Sequence, residues 1–551
     1  MIARLILVML LAVGIAAQTT APPRPSTSYA IAGRVVSSVT GQPLSGVTVA
    51  ITATENRQSS QTMQTAADGR FAFPALPAGK YSLTASARGY RAQGFNQHDN
   101  FFTGIAVGPD LDGSGLVFRL VPDAAIEGTV TDDDSEPVRN ASVQLFQRNN
   151  DTGQQRTQAM TNAVTDDRGH YQFGHLAPGT YFVAVSARPW FATYSASGEA
   201  PSNPDDAPRV AAEKTQLDVA YPLTFYPAAE DSLAATPIVL HLGERATADV
   251  VMRAVPAVHL RIKTGEAGGS NHGIGYPRSF PRVSQRIFEG TLSSVMSAQG
   301  FGYTQGIYEY TGIAPGHYVI EMPESGSKRN GAGWYKEIDL SGTVELDPSE
   351  SPPLALVSGA VVLEGATRPA GKMLVELIKR TTGERFAAEV SGKGLFDFKD
   401  DEIRPGTYDV QLANAPGFQV KELLAKGART AGRTIAIAAG GNVQLVCTAT
   451  RAVAQITGVV LRDDKPFAGA MVVLVPQDPS ADWLLFRRDQ SDSDGTFTLP
   501  AVLPGHYRAI AIENGWDLDW ASPAVLQPYL KNGTPIDVTG EGKMSIKVHL
   551  Q

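Results

Sequence analysis

A single cysteine, Cys447, stands among 551 residues. No disulfide framework can form within the chain, so its stability must come from packing. Cys447 itself lies in the alternating stretch "NVQLVCTAT" and reads as a small buried hydrophobe rather than a reactive thiol. Charged residues make up only 19% of the chain, the net charge is −8, and no basic stripe stands out, so a nucleic-acid partner is not expected. Beyond the N-terminus no stretch reaches the ~18 apolar residues that a membrane-spanning helix requires. Sustained 3.6-residue periodicity is almost absent; "SPAVLQPYLKN" (522–532) suggests at most one helical turn or a short loop. No G-x-S-x-G nucleophile elbow and no phosphate-cradling glycine loop appears.

The N-terminus carries one distinct signal. "MIARLILVMLLAVGIAAQ" places a basic residue, Arg4, before an apolar run and then the small residues Ala16 and Ala17. That order predicts a secretory signal peptide over 1–17, followed by a flexible leader over 18–28; an uncleaved anchor is the rival reading. No cysteine stands at the cleavage site, so lipid anchoring has no support. The expected location is exported: periplasmic, cell-surface or extracellular.

The rest of the chain is too long for one hydrophobic core. Its 54 glycines and 36 prolines suit many short strands joined by tight turns. One motif recurs five times: "LPAGKY" (76–81), "LAPGTY" (176–181), "IAPGHY" (313–318), "IRPGTY" (403–408) and "VLPGHY" (502–507). Four copies are preceded by a strand centred on one glycine: Gly33, Gly128, Gly359 and Gly458. About ten residues later a proline (Pro43, Pro137, Pro369, Pro466) leads a second alternating strand. A turn and a short aromatic strand then precede the motif: "AADGRFAF", "DDRGHYQF", "GKGLFDF" and "SDGTFTL". The strands show period two, and each unit offers about seven of them in about 100 residues, the size of a β-sandwich. The boundaries expected are 29–121, 122–253 with a loop insertion around 192–214, a diverged unit 254–349, then 350–450 and 451–551. In the motif, proline presets φ and glycine supplies positive φ, as a type II turn requires. The tyrosine ring should pack over the end of the sandwich with its hydroxyl on backbone or water.

This order of strands, "D-x-G-x-[FY]" and "[LI]-x-P-G-x-Y" resembles the carboxypeptidase regulatory-like domain, a prealbumin-like sandwich akin to carbohydrate-binding-like and Cna-B-like modules. The resemblance is strong in units 1, 2 and 5, fair in unit 4 and weak in unit 3. It implies an all-β fold of about five tandem Ig-like or prealbumin-like sandwiches and an accessory, non-catalytic role; it implies no substrate. Cna-B-like domains can carry Lys–Asn crosslinks, but the matching positions here are Arg34, Thr129, Ala360 and Val459, so none is expected.

Candidate chemistry is sparse. "HLGE", from His241 to Glu244, fits a short zinc pattern but lies on an alternating strand that runs into a glycine turn, so a metal-dependent hydrolase is a remote reading. "DLDGSG" (110–115) and "SDSDGT" (491–496) alternate carboxylates before glycine as calcium loops do, yet hairpin turns demand the same residues. No metal and no cofactor is expected. Sugar recognition on a sandwich needs exposed aromatics. Trp190 and Trp516 fall at a position that is aromatic in four units (with Tyr90 and Phe418), which argues for packing. Trp520, Trp483 and Trp334 have no counterparts and are the candidate carbohydrate-binding residues. The function expected is therefore an exported, non-catalytic binding or scaffold protein whose partner is a polysaccharide or a cell-surface protein. The alternative is a structural spacer or envelope-assembly component with a protein partner.

Overall fold

The computed structural model describes residues 28–55, 59–151, 153–193, 217–263, 281–288, 290–294, 300–304, 307–322, 333–365, 372–398, 403–415, 417–451, 453–479 and 483–551. The expected signal peptide, nearly all of the leader, most of the unit 2 insertion and much of the glycine/serine-rich stretch of unit 3 lie outside these residues. Within them the chain is all-β, a series of five two-sheet sandwiches.

The same wiring builds each unit. The first strand is Tyr29–Ser37, Ala124–Asp132, Val258–Lys263, Leu356–Leu363 or Ala454–Arg462. It pairs antiparallel with the strand before the tyrosine motif and parallel with the closing strand of its unit. The second sheet joins Thr48–Ala53, Ser142–Asn149, Arg282–Ile287, Leu374–Lys379 or Met471–Pro476 to the strand that starts at the motif glycine. Side chains from the two inner faces form a separate apolar core in each unit. Unit 3, the weakest match by sequence, has two four-stranded sheets and its own core around Leu260, Ile262, Tyr308 and Tyr318.

The recurring glycine has a packing cause. Gly33, Gly128, Gly359 and Gly458 each lie opposite the first aromatic of the next motif: Phe71, Tyr171, Phe396 and Phe497. A Cβ on Gly359 would fall 1.8 Å from the Leu445 carbonyl oxygen, and one on Gly128 would fall 2.2 Å from that of Ala248. In these units the closing strand comes so close that a side chain at the glycine would meet its backbone. In unit 3 the corresponding residue, opposite Tyr308, is Ile262.

The tyrosine motif makes the same bond in all five units. Its hydroxyl donates to the carbonyl four residues earlier: Tyr81 to Pro77 (3.0 Å), Tyr181 to Ala177 (2.9 Å), Tyr318 to Ala314 (2.7 Å), Tyr408 to Arg404 (2.6 Å) and Tyr507 to Leu503 (2.9 Å). Burial raises the Tyr81 and Tyr181 hydroxyl pKa values above the ordinary tyrosine range, which keeps these donors protonated. The expected type II turn is not formed. Gly79, Gly179, Gly406 and Gly505 do take the positive φ expected of glycine, but at 154–158° rather than the roughly 80° of a type II turn, and each is already the first paired residue of the returning strand. The left-handed residue sits six places before the tyrosine, at Ala75 (φ 64°), His175 (φ 56°), Gly312 (φ 71°) and Ala501 (φ 54°). There the preceding strand shifts register against the first strand.

Two smaller departures concern unit 5 and the single thiol. Pro523–Leu530 forms a two-turn helix, longer than the single turn expected, with proline at its first position and Leu526 buried. Cys447 is fully buried on an inward face, and burial pushes its thiol up to about 12.

Candidate functional site

The units do not hang as separate beads. Unit 5 packs against unit 1, nearly 400 residues earlier in the chain. On unit 1 the contact uses Lys80 and the segment Asn96–Ala106; on unit 5 it uses strand Arg487–Gln490 and the turn that follows.

The turn is held by its own bonds first. Gly495 N donates to Asp492 O, and Thr496 N to Asp494 Oδ1. This is the local role that the residue types suggest. The carboxylates of Asp492 and Asp494 also face unit 1. Lys80 Nζ lies 2.6 Å from Asp492 Oδ2 and 3.5 Å from Asp494 Oδ1, and it also contacts Thr496 Oγ1. Gly104 N donates to Asp492 Oδ1 at 2.8 Å, Ala106 N to Ser493 Oγ at 2.8 Å, and Ser493 N to Gly104 O at 2.9 Å. A Cβ on Gly104 would fall 2.7 Å from Asp492 Oδ1, so a larger residue here would push the carboxylate out of its present position. Burial raises the pKa of Asp492, with Lys80 and the Gly104 N–H opposing the shift. The stretch that resembled a calcium loop is a docking turn whose cation is a lysine.

Polar and aromatic groups extend the seam. Gln490 is 1% exposed; its Nε2 donates to Asn96 O and Thr103 Oγ1, both at 2.8 Å, and its Oε1 lies 3.1 Å from His98 Nδ1. The His98 ring stacks on Trp516 with centroids 4.7 Å apart and planes 6° from parallel. Arg488 pairs with Asp99 at 2.9 Å and places its guanidinium carbon within 4.6–5.4 Å of the rings of Phe101, Trp516 and Trp520. Beside this seam, burial pushes the Asp489 carboxyl up to about 6, and its Oδ2 accepts from Thr498 N at 2.6 Å.

Unit 2 meets units 4 and 5 as well. Asn150 Nδ2 donates to the carbonyls of Trp516 and Leu518, Trp520 Nε1 donates to Asn150 O at 2.9 Å, and Ala521 N donates to Gly153 O. Trp483 Nε1 donates to Asp409 Oδ2 of unit 4 at 2.6 Å, while Arg380 holds the same carboxylate. Between these three units lies a cavity of about 120 Å³ lined by Arg156, Lys379, Arg380, Arg385, Asp409 and Trp483, among others. Among the described residues neither Arg156 nor Lys379 makes an ion pair, and burial lowers the pKa of the Lys379 amine. Such a lining suits a small anionic group.

The three candidate indoles are thus engaged rather than open. Trp520 and Trp483 are half-buried and bonded across unit junctions. Trp334 is half-buried at the start of strand Trp334–Leu340, packed against the unit 3 core and bridged to Pro353. Sequence reasoning took lack of a repeat counterpart as a sign of ligand contact; here it accompanies contact between units. The shared position also divides. Trp516 is 7% exposed in the seam, but Trp190 is 78% exposed, against the packing expected of it.

The remaining candidates are local. His241 Nδ1 and N both reach Glu244 Oε2 at 2.7 Å in an exposed turn. Among the described residues no group of three or more His, Cys, Asp or Glu side chains is arranged to hold a metal. A wider cavity of about 410 Å³ in unit 5 contains His506 and Asp537, 2.5 Å apart. This pair sits directly across two strands, and unit 3 repeats it with His317 and Asp339, so it is a cross-strand contact of the fold. No helix among the described residues is long and apolar enough to cross a membrane.

Residues 30–108 and 125–219 match the model of the carboxypeptidase regulatory-like domain. A search of curated proteins finds no match. Among solved structures the chain is similar to the minor pilin GBS52 of Streptococcus agalactiae, at 14% identity over 42% of this chain and 97% of that one, with a TM-score of 0.21. It is also similar to a streptococcal ancillary pilin (12% identity, 58% and 99% covered, TM-score 0.18) and to the TIE protein of Bacillus anthracis (10% identity, 92% and 68% covered, TM-score 0.16). At these scores any statement about function rests on the chain's own residues.

Proposed function

We propose that this chain, which carries carboxypeptidase regulatory-like domains in its first two units, is an exported, non-catalytic scaffold that holds five sandwiches in one fixed arrangement for a protein partner at the cell envelope. The carrying observation is the seam between units 1 and 5. A spacer of independent beads needs no bond between its ends, whereas here Lys80, Gly104 and Ala106 meet Asp492 and Ser493 through directed bonds. Crosslinking in intact producing cells followed by mass spectrometry tests the reading. One recurrent protein neighbour is expected; no recurrent neighbour, or turnover of any substrate by the purified chain, contradicts it.

A second reading is favoured by the junction cavity. Trp483 stands there beside Arg156, Lys379 and Arg385, a combination that suits an acidic saccharide terminus. A glycan array containing uronic-acid and neutral chains separates the two. Retention of acidic glycans that is lost in Arg156→Ala supports the sugar; equal or absent retention leaves the protein scaffold as the reading.

A further inference from the structure

The outer face of the first sheet of unit 4 differs from its equivalents. Leu356–Leu363 lies between Leu395–Asp397 and Asn442–Thr450, and a fourth strand, Gln419–Lys426, is added beyond the closing strand. Register places Leu395, Ala360, Val446 and Leu424 in one row across all four strands. Their inward neighbours Val361, Leu445 and Leu423 are in the core, so this row faces out. Leu395 is 55% exposed, Leu424 57%, Val446 36%, and Val362 in the next row 50%. The other units serve as controls. The same row reads Arg70, Arg34 and Val117 in unit 1 and Thr496, Val459 and Lys547 in unit 5. Against units 1 and 5, an apolar row across the sheet is a departure made in unit 4, and among the described residues no other part of the chain covers it.

The flanking rows indicate what does. On one side run Asp397, Ser358, Gln444 and Lys426. On the other run Val362, Thr448 and Glu422, with the exposed Lys393 in the turn leading into the strand of Leu395. Each flank therefore ends in opposite charges, and the order of sign is reversed between the two flanks. A second copy turned about a twofold axis that lies between the faces and runs along the strands lays strand Leu395–Asp397 over strand Gln419–Lys426. That operation brings Asp397 to Lys426 and Lys393 to Glu422, twice each, while the leucine rows meet in the middle.

We propose that this face is a self-complementary docking surface and that its occupant is a second copy of this chain. Three rows over four strands span roughly 15 by 14 Å. That is well below the roughly 800 Å² per partner of a stable interface, so the dimer is reversible and concentration-dependent. It adds a twofold assembly to the scaffold and depends on none of the junction residues, so a failure here leaves the reading of the seam standing.

Sedimentation velocity of the full-length chain over a dilution series up to about 1 mM tests it. A monomer–dimer equilibrium is expected, with the dissociation constant raised at least about tenfold in Leu424→Asp, a change at an exposed site that leaves the core intact. Asp397→Lys and Lys426→Asp are each expected to weaken the dimer, and the two together to restore it, because the pairs re-form with their signs exchanged. A strictly monomeric wild type, larger aggregates, a Leu424→Asp dimer of unchanged affinity, or absence of rescue in the double variant would each overturn the proposal.

Discussion

The five tyrosine corners and the single seam teach different things about the same chain. A corner is repeated with one bond on five backgrounds, and in every unit it stands at the start of the returning strand. The seam occurs once and uses residues at which the units disagree. Lys80 answers to Thr180, His317, Thr407 and His506, and Trp516 answers to Tyr90, Trp190 and Phe418. What repeats builds the sandwich; what departs from the repeat joins the sandwiches together. The opposite fates of Trp190 and Trp516 show that an aromatic at a shared position is not committed to either role.

Four substitutions sharpen this contrast. The largest effect is expected at the repeated glycine. Gly359→Val drives a side chain into the Leu445 carbonyl and should destabilise unit 4 by more than about 4 kcal/mol, seen by hydrogen exchange as loss of protection confined to that unit. Lys80→Glu comes next. It sets three carboxylates together at the seam and should cost about 2–4 kcal/mol of docking, while each sandwich keeps its own protection; small-angle scattering should then report a larger radius of gyration. Global unfolding in place of this opening would show that the seam is part of the core.

Asp489 gives the third test through pH. Its carboxyl is raised in the folded state above the unfolded value near 3.9, so the folded chain binds the proton more tightly. Stability from this group is then highest below about pH 4 and falls as pH rises through about 6. Asp489→Asn should therefore stabilise unit 5 by on the order of 2–3 kcal/mol at pH 8, an advantage that shrinks toward pH 4 in paired denaturation series. The smallest effect is a corner hydroxyl. Tyr507→Phe leaves one buried carbonyl without its donor and should cost about 1 kcal/mol in unit 5, with similar losses at the other four corners. A corner that costs nothing would remove it from the architecture.

Much of the fold was legible because its signals are local. Period-two alternation, the glycine that must lack a side chain and the tyrosine four residues past a carbonyl all lie within short windows of sequence. Even unit 3, where Ile262 stands in the glycine's place, kept its tyrosine corner and its wiring. The glycine's positive φ was legible but the turn type was not, because the left-handed bend falls at Ala75, His175 and Ala501, residue types that do not announce positive φ. The junctions were not legible for a different reason. Asp492 and Asp494 satisfy a hairpin turn completely, and nothing nearby records that Lys80 will approach them. Trp520 and Trp483 stood out by lacking counterparts, but that pattern does not separate a sugar platform from a neighbouring sandwich.

The central claim is that unit 5 closes onto unit 1. Cys447 is buried with its thiol pushed up to about 12, so spin labels attach selectively to cysteines introduced at the exposed positions Val39 and Lys465. Pulsed dipolar spectroscopy on the pair Val39→Cys and Lys465→Cys should give one narrow distance distribution that broadens and lengthens in the Lys80→Glu background. A broad distribution in the otherwise unaltered chain, or a narrow one indifferent to Lys80, would contradict closure through this seam.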